Sequence, residues 1–276
     1  MPFETIPPGL EAPPPFPDRI VKVGEADKAL VRLVQERLNS LGCGPLRVNG
    51  VYDKENTERA VRLFQGRFAD VTGRPLEVDG RIGSLTWGAM FGADTVPAST
   101  RSPSKLIVAV LKFARTQIGV MESPRGSNRG PQVDQYLKSV RLDPKRGSFA
   151  WCVAFTYFCF QEAAQQLGVD NPHVRTAGVL DHWNRAKSVP AASRITHARA
   201  IADPALVRPG SLFVMDFGGG AGHTGLVVES ANGRLVTIEG NSNDGGSREG
   251  IGVFRRQARK IAQINKGFID YGDGEV

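Results

Sequence analysis

The chain has 276 residues, of which 41% are hydrophobic and 23% charged, and its formal net charge is +7. This composition excludes a chain that is disordered throughout, and the absence of any 18-residue apolar run excludes a membrane span. The positive charge favours polyanionic partners such as nucleic acid, acidic membranes or bacterial cell wall, but no Lys/Arg run with interleaved aromatic residues indicates nucleic acid.

Two segments divide the chain. Residues 1–24 are rich in proline and show little periodicity, which predicts an extended or disordered arm. Residues 92–104 are rich in small residues and proline, which is typical of a linker. These segments leave one predicted domain over residues 25–91 and another over residues 105–276.

The smaller predicted domain contains two similar halves. Asn49-Gly50 precedes a helical pattern that begins near Thr57, and Asp79-Gly80 precedes another that begins near Thr86. Each half predicts a tight turn followed by a helix capped near the threonine. Because an earlier apolar pattern at helical spacing stops at Gly42, we expect three short helices in all.

This pattern resembles the peptidoglycan-binding domain type 1 family over roughly residues 28–91. The matching elements are Val34-Gln35, Leu38, Leu41-Gly42, Asn49-Gly50, Thr57, Ala60-Val61, Phe64-Gln65, Asp79-Gly80 and Thr86-Trp87. The resemblance implies cell-wall binding through a shallow groove. We interpret the apolar residues of this domain as core and turn formers, so no binding residue is assigned in it.

The larger predicted domain changes its pattern along the chain. Apolar residues at helical spacing predict helices over residues 106–118, 133–140 and 150–167. After residue 205 the period becomes that of strands, at Ser211–Phe217, His223–Glu229, Leu235–Glu239 and Gly252–Arg256. Helices followed by strands predict an α+β fold with an antiparallel sheet.

Cys152 is expected in the first turn of the third predicted helix of this domain. The unpaired N–H groups and the positive end of the helix dipole favour a thiolate at that position. The alternative is an inert cysteine buried in the core. Cys159, two turns deeper on nearly the same face, and Cys43 are interpreted as structural. Three cysteines, an odd number, are too few for a disulfide framework.

His223 follows a run of glycines at the start of a predicted strand, and Glu239 ends the next strand. A thiol, an imidazole and a carboxylate would form a cysteine hydrolase site if they converged. A two-residue Asn-Gly loop alone would put His223 and Glu239 on opposite faces, so we predict a three-residue loop or a bulge between them. Asn241 can then share the face of Glu239 and help to orient the imidazole.

The larger domain resembles the CHAP family, the cysteine, histidine-dependent amidohydrolase/peptidase domains with a papain-like fold, over about residues 105–260. The matching pieces are Glu122 through Gly130, Val133-Asp134-Gln135-Tyr136, Trp151-Cys152-Val153-Ala154-Phe155, Arg208-Pro209-Gly210-Ser211, Gly222-His223-Thr224-Gly225 and Glu239-Gly240-Asn241. The resemblance implies that Cys152 is the nucleophile, His223 the base and Glu239 the orienting carboxylate, helped by Asn241.

Further site residues and cofactors follow less directly. We expect Asn128 and Trp151 to contact substrate, with Asn128 as a candidate second donor to the oxyanion. Some CHAP domains bind calcium through an acidic loop before the cysteine, but Pro144-Lys145-Arg146-Gly147-Ser148 is basic here. The sequence also lacks His-Glu-x-x-His and Cys-x-x-Cys spacings, which disfavours a zinc amidase. We therefore expect no metal and no cofactor.

The sequence as a whole predicts a peptidoglycan hydrolase that cuts an amide bond, as an N-acetylmuramoyl-L-alanine amidase or as a stem-peptide or cross-bridge endopeptidase. The alternatives are a non-catalytic wall-binding protein with a decayed hydrolase fold, and a papain-like protease acting on proteins. We expect a monomer whose partner is bacterial peptidoglycan. The first residues do not resemble a signal peptide, so we expect synthesis in the cytoplasm and action at the cell wall or periplasm. A phage holin or a secretion system would release the protein.

Overall fold

The computed structural model describes residues 13–101, 103–243 and 250–272. The chain divides into two compact units, each with its own hydrophobic core. The first unit ends at Ala98 and also takes in Ile201–Asp203, and the second comprises the rest from Ser99 onward. In the part of the chain that the structure describes, no helix has the length and apolar character required to span a bilayer.

The first unit has the three predicted helices, α1 (Lys28–Ser40), α2 (Arg59–Arg67) and α3 (Ser84–Phe91). A π-helical turn, Lys54–Glu58, leads directly into α2. The Asp27 side chain caps α1 by accepting hydrogen bonds from two N–H groups of its first turn. Apolar side chains from all three helices meet in one small core.

Two buried glutamines reveal a repeat inside the first unit. The Oε1 atom of Gln35 accepts hydrogen bonds from the N–H groups of Asn49 and Gly50, at 3.0 and 2.9 Å. The Oε1 atom of Gln65 accepts the corresponding bonds from Asp79 and Gly80, at 3.1 and 2.8 Å. The half-repeat predicted from the sequence is therefore built on a helix side chain that fastens each Asn/Asp-Gly turn.

Part of the predicted N-terminal arm belongs to this unit. Phe16 and Val21 are buried in its core, and Val21 pairs with Ile82 as an isolated β-bridge. Residues 1–12 lie outside the described residues. The prediction of an extended or disordered arm over residues 1–24 therefore does not hold at Phe16 and Val21, because these side chains are packed in the core of the first unit. Val96, within the predicted linker, is buried in the same core.

In its described residues, the second unit combines five helices with one sheet. The helices are α4 (Lys105–Thr116), α5 (Pro131–Ser139), α6 (Cys152–Leu167), α7 (Val179–Ala186) and α8 (His197–Ala202). The strands are β1 (Ser193–Thr196), β2 (Leu212–Gly218), β3 (Ala221–Ala231), β4 (Arg234–Ser242), β5 (Gly252–Lys260) and β6 (Gly267–Asp270). They form an antiparallel sheet in the order β1-β6-β2-β3-β4-β5. The predicted α+β class is confirmed, and β1 and β6 are additional to the four predicted strands.

The central helix α6 packs against α4 and α5 on the helical side and against β3 and β4 of the sheet. Its residues from Cys152 to Phe160 are all buried, and it ends at Gly168, whose φ of 69° is left-handed. A Cβ atom at Gly240 would lie 2.6 Å from the Phe155 side chain. Only glycine allows β4 to approach α6 this closely, and this approach brings the end of β4 beside the start of the helix.

Candidate active site

The hairpin between β3 and β4 puts His223 and Glu239 on one face. Ala231 lies opposite Arg234, so the loop has only two residues, Asn232 and Gly233. The pairing then shifts by one residue between Val227 and Glu229, which is a β-bulge. The sequence required a longer loop or a bulge for a shared face, and the structure contains the bulge.

His223 lies between a thiol and a carboxylate. Its Nε2 atom is 2.9 Å from Oε2 of Glu239. The Cys152 side chain, from the first residue of α6, is within hydrogen-bonding reach of the same ring, and both residues line one cleft. A Cβ atom at Gly225 would lie 2.8 Å from Cγ of Glu239, so glycine at this position leaves room for the carboxylate. The three predicted residues are therefore brought together.

Arg259 is a part of this cluster that sequence reasoning missed. Glu239 is completely buried, and the guanidinium of Arg259 on β5 binds both of its carboxylate oxygens, with Nη2 at 2.6 Å from Oε2. Hydroxyl groups of Thr237 and Ser242 donate to the same carboxylate at 2.6 and 3.3 Å. A buried carboxylate is costly unless it is paired and hydrogen-bonded, and Glu239 meets both conditions.

The electrostatics of the pair follow from these contacts. Burial would lower the pKa of His223, but the hydrogen bonds and charges of Cys152 and Glu239 outweigh it and raise that pKa to about 9. Burial would raise the pKa of Glu239, but Arg259 and His223 hold it well below its ordinary value. The ring is therefore held as an imidazolium over an ionised carboxylate at neutral pH.

The cleft in front of these residues has a volume of about 630 Å³. Cys152 and His223 lie in its lining, together with the backbone of Gly218 and Gly220 from the β2–β3 turn. Phe217 lines the same cleft and is 50% exposed. A half-exposed aromatic ring in this cleft offers an apolar surface to a bound ligand.

Asn241 does not orient the imidazole in the way the sequence predicted. It lines the cleft and has a left-handed φ of 52°, at the place where the pairing of β4 with β5 is irregular. Its Oδ1 atom is buried without a hydrogen-bond partner, and no hydrogen bond between Asn241 and His223 is found among the described residues. Among the residues that the structure describes, the partner of the Nε2 atom of the ring is Glu239.

Two predicted substrate contacts need correction. Trp151 is completely buried, and its Nε1 atom donates to Oε1 of Glu122 at 2.9 Å, while its ring packs against Tyr136. It therefore supports the start of α6 from inside the core and cannot touch substrate. Asn128 donates from Nδ2 to Oγ of Ser148 at 2.9 Å and does not line the cleft, so the structure does not support it as an oxyanion donor.

The other three histidines have structural surroundings. His173 and His182 are buried and stacked on each other with ring centroids 4.2 Å apart, and burial lowers the pKa of His173 to about 4. His197 binds the carbonyl of Ile264 through Nδ1 at 2.8 Å. Within residues 13–101, 103–243 and 250–272, no three His, Cys, Asp or Glu side chains cluster in a way that could hold a metal ion.

Comparison with protein families gives two matches. The model of the CHAP domain matches residues 144–241, a range that contains Cys152, His223 and Glu239, and the model of a peptidoglycan-binding domain matches residues 27–90. The chain carries a CHAP domain and a peptidoglycan-binding domain. Searches of curated proteins and of solved structures returned no match. The combination of the two domains supports a peptidoglycan hydrolase in general, with peptidoglycan as its partner.

Proposed function

We propose that the protein hydrolyses an amide bond in the peptide part of peptidoglycan, with Cys152 as nucleophile, His223 as acid and base, and Glu239 as the carboxylate that orients His223. The observation that carries the proposal is the position of the His223 ring between the Cys152 thiol and the buried Glu239 carboxylate, at the wall of an open cleft. This is the arrangement in which an acyl-transfer nucleophile is activated.

The reaction proceeds in two acyl transfers. Glu239 holds Nε2 of His223, which leaves Nδ1 to exchange a proton with the Cys152 thiol. The sulfur attacks the amide carbonyl, and the backbone N–H of Cys152, at the unpaired start of α6, stabilises the oxyanion. The imidazolium then protonates the leaving amine, and the C–N bond breaks. Water, deprotonated by His223, attacks the thioester and releases the carboxylic acid and the thiol.

The first unit supports the choice of substrate. It carries a shallow groove of about 610 Å³ between the segment that follows α1 and the start of α2. Leu63 is 44% exposed at this groove, which Arg59, Arg62 and Glu55 also line, and Arg62 forms an ion pair with Glu58 at 2.9 Å. Exposed apolar surface next to cationic side chains suits a sugar-peptide polymer that carries carboxylates. We propose that this groove holds the polymer while the second unit cuts it.

The proposal is tested by digestion of purified sacculi, with mass spectrometry of the released fragments. The wild-type chain is expected to release fragments with a new carboxyl end, and their masses distinguish the muramoyl–L-alanine amide from bonds within the stem peptide or cross-bridge. Cys152→Ala is expected to abolish release, because the catalytic residues act as a unit and the nucleophile is absent. Cys159→Ala, on the same helix and buried in the core, is the matched control.

Release of the same fragments by Cys152→Ala would refute the assignment of Cys152 as the nucleophile. Absence of release by the wild-type chain, together with retained sacculus binding, would favour the non-catalytic wall-binding alternative. Cleavage of casein without cleavage of sacculi would favour the protein-directed protease. The Cys159→Ala chain must digest sacculi like wild type for the comparison to hold.

A further inference from the structure

Arg259 makes contacts that a surface arginine on an edge strand does not make. Its side chain is only 18% exposed, and its guanidinium meets both oxygens of Glu239 in a two-pronged ion pair. The same group lies over the ring of Phe213 at 4.8 Å from the centroid, and its Nη1 atom is 3.6 Å from the Met215 sulfur. These contacts fix the plane of the guanidinium, and the paired oxygens then fix the plane of the carboxylate.

Phe213 links this arginine to the imidazole. Its ring centroid lies 5.6 Å from that of His223, while Arg259 covers the same ring from β5. Phe213 is completely buried on β2, so it is a rigid surface for both groups. The orientation of His223 is therefore held by Glu239 through a hydrogen bond and by Phe213 through packing, and Arg259 supports both of them.

The charge balance of the cluster indicates that Arg259 keeps Glu239 ionised. His223 must lose its proton to the leaving amine during the proposed reaction. Without another cation, Glu239 would then be a buried carboxylate with no positive partner, and it would tend to take up a proton. Arg259 remains charged throughout, so Glu239 stays ionised in both protonation states of the ring.

We propose that Arg259 is a positioning residue of the active site, which acts through Glu239 to keep the His223 ring oriented and able to exchange its proton. This inference rests on the proposed function for the reaction, but the arrangement of the four side chains can be tested without substrate. Arg259 also lines the cleft, but among the described residues its contacts are with Glu239, Met215 and Phe213 and not with Cys152.

Other charged groups near Glu239 are few in the described part of the second unit. His223 faces it from β3 and Arg259 from β5, and Cys152 of α6 lies on the far side of the imidazole. Arg256, also on β5 and in the cleft lining, is 3.5 Å from the Ser242 hydroxyl that donates to Glu239. Arg256 therefore stays in place in every variant below, so that its charge is constant.

The test compares Arg259→Met and Arg259→Lys with wild type in two assays. Arg259→Met is expected to lower kcat on sacculi about 100-fold, the cost typical of a misplaced reacting group. In the absence of substrate, the rate of iodoacetamide alkylation at Cys152, followed by peptide mass spectrometry, is expected to show its acid-side inflection at higher pH. The reason is that Glu239 takes up a proton more easily without Arg259, and protonated Glu239 no longer stabilises the imidazolium.

Arg259→Lys is the conservative variant. Its ammonium keeps the charge but cannot span both carboxylate oxygens, so we expect the alkylation inflection near that of wild type and only part of the lost turnover restored. Arg255→Met is the matched control, because Arg255 lies on the same strand and pairs with exposed Glu229 at 2.9 Å, outside the cleft lining. Its pH profile and its kcat are expected to equal those of wild type.

The proposal is overturned if Arg259→Met keeps the wild-type inflection in the alkylation profile, whether or not its turnover falls. A fall in turnover that matches a fall in thermal stability, with the inflection unmoved, would mean that Arg259 only holds β5 in place. If the wild-type chain digests no sacculi, the proposed function fails, but the alkylation profiles still decide the role of Arg259.

Discussion

Two histidines of the second unit have pKa values shifted in opposite directions. His173 is buried beside His182 and aromatic rings with no carboxylate partner, and burial lowers its pKa to about 4. The side chain of His223 is also largely buried, but it lies between Cys152 and Glu239, which raise its pKa to about 9. Partner groups rather than burial therefore decide which histidine can carry a proton at neutral pH.

Removal of the carboxylate charge at position 239 tests this account. Glu239→Gln takes away the group that favours the imidazolium, so the pKa of His223 is expected to fall from about 9 towards its ordinary value. The alkaline limb of kcat/KM should move to lower pH with it. Loss of the orienting carboxylate is expected to lower kcat about 10⁴-fold, as in other triads whose acid becomes an amide. Histidine ring NMR titration and sacculus digestion measure the two effects.

Glu229→Gln is the control for this substitution. Glu229 lies on β3, is exposed and pairs with Arg255 at 2.9 Å, so the same loss of charge occurs away from the cleft. A His223 pKa that stays near 9 in Glu239→Gln would contradict the role of Glu239, and a shift of equal size in Glu229→Gln would show that the effect is not specific to the pair.

The sequence contains enough information to predict Cys152, His223 and Glu239 as site residues, but it does not identify Arg259. Cys152 is at the start of a helix whose first half is apolar nearly all round. His223 begins a predicted strand and Glu239 ends the next one, each beside glycines, and these are local signals. Arg259 is one of several arginines on β5, and nothing in its neighbours separates it from Arg255. Only the register of β5 against β4, which is irregular at two places, selects the arginine that reaches the carboxylate.

At the scale of elements, the local sequence patterns predicted where a helix begins better than they predicted which side chains pack in the core. The start of α6 was predicted within two residues, yet Trp151, the N-cap residue directly before it, was expected to touch substrate and instead lies in the core. An aromatic residue next to Cys152 gives the same local sequence pattern whether its side chain contacts substrate or packs in the core. Its direction depends on Glu122 and Tyr136, which come from earlier in the chain and accept or pack against the indole.

The paired glutamines of the first unit lead to a prediction about α1. Gln35 binds two turn N–H groups through Oε1, and through Nε2 it donates to Thr57 at 3.0 Å. Gln35→Met keeps the volume but removes the acceptor of the buried Gly50 N–H and of the part-buried Asn49 N–H, and a buried donor left unpaired costs about 1–3 kcal/mol. We expect the free energy of unfolding of the first unit to fall by about 3 kcal/mol, and hydrogen exchange at Asn49 and Gly50 to accelerate.

Glu36→Met is the matched control, because Glu36 is the next residue on α1 and is exposed. It is expected to leave both the hydrogen exchange and the melting temperature unchanged. Unchanged protection of Gly50 in Gln35→Met would show that the turn forms without its glutamine. A fall in stability of equal size in Glu36→Met would attribute the effect to α1 in general.

At the scale of the whole molecule, the proposed function assigns binding to the first unit and chemistry to the second. Each has its own core, and the two family matches fall in different units. The cleft with Cys152 and His223 is built from the second unit alone, whereas the groove with Leu63 belongs to the first. Covalent connection makes the second encounter with a polymer intramolecular, which raises the effective concentration of the cleft at the wall.

Separation of the two units therefore has different consequences for two substrates. A chain that begins at Ser99 is expected to cleave a soluble peptidoglycan fragment at the wild-type rate, because the cleft is complete. Its rate on intact sacculi at low enzyme concentration is expected to fall about 100-fold, which is the scale of avidity lost with one of two linked binding modules. Addition of the first unit as a separate chain should not restore the rate, since only tethering raises the local concentration. Equal digestion of sacculi by the shortened and full-length chains would show that the first unit does not bring the enzyme to the wall.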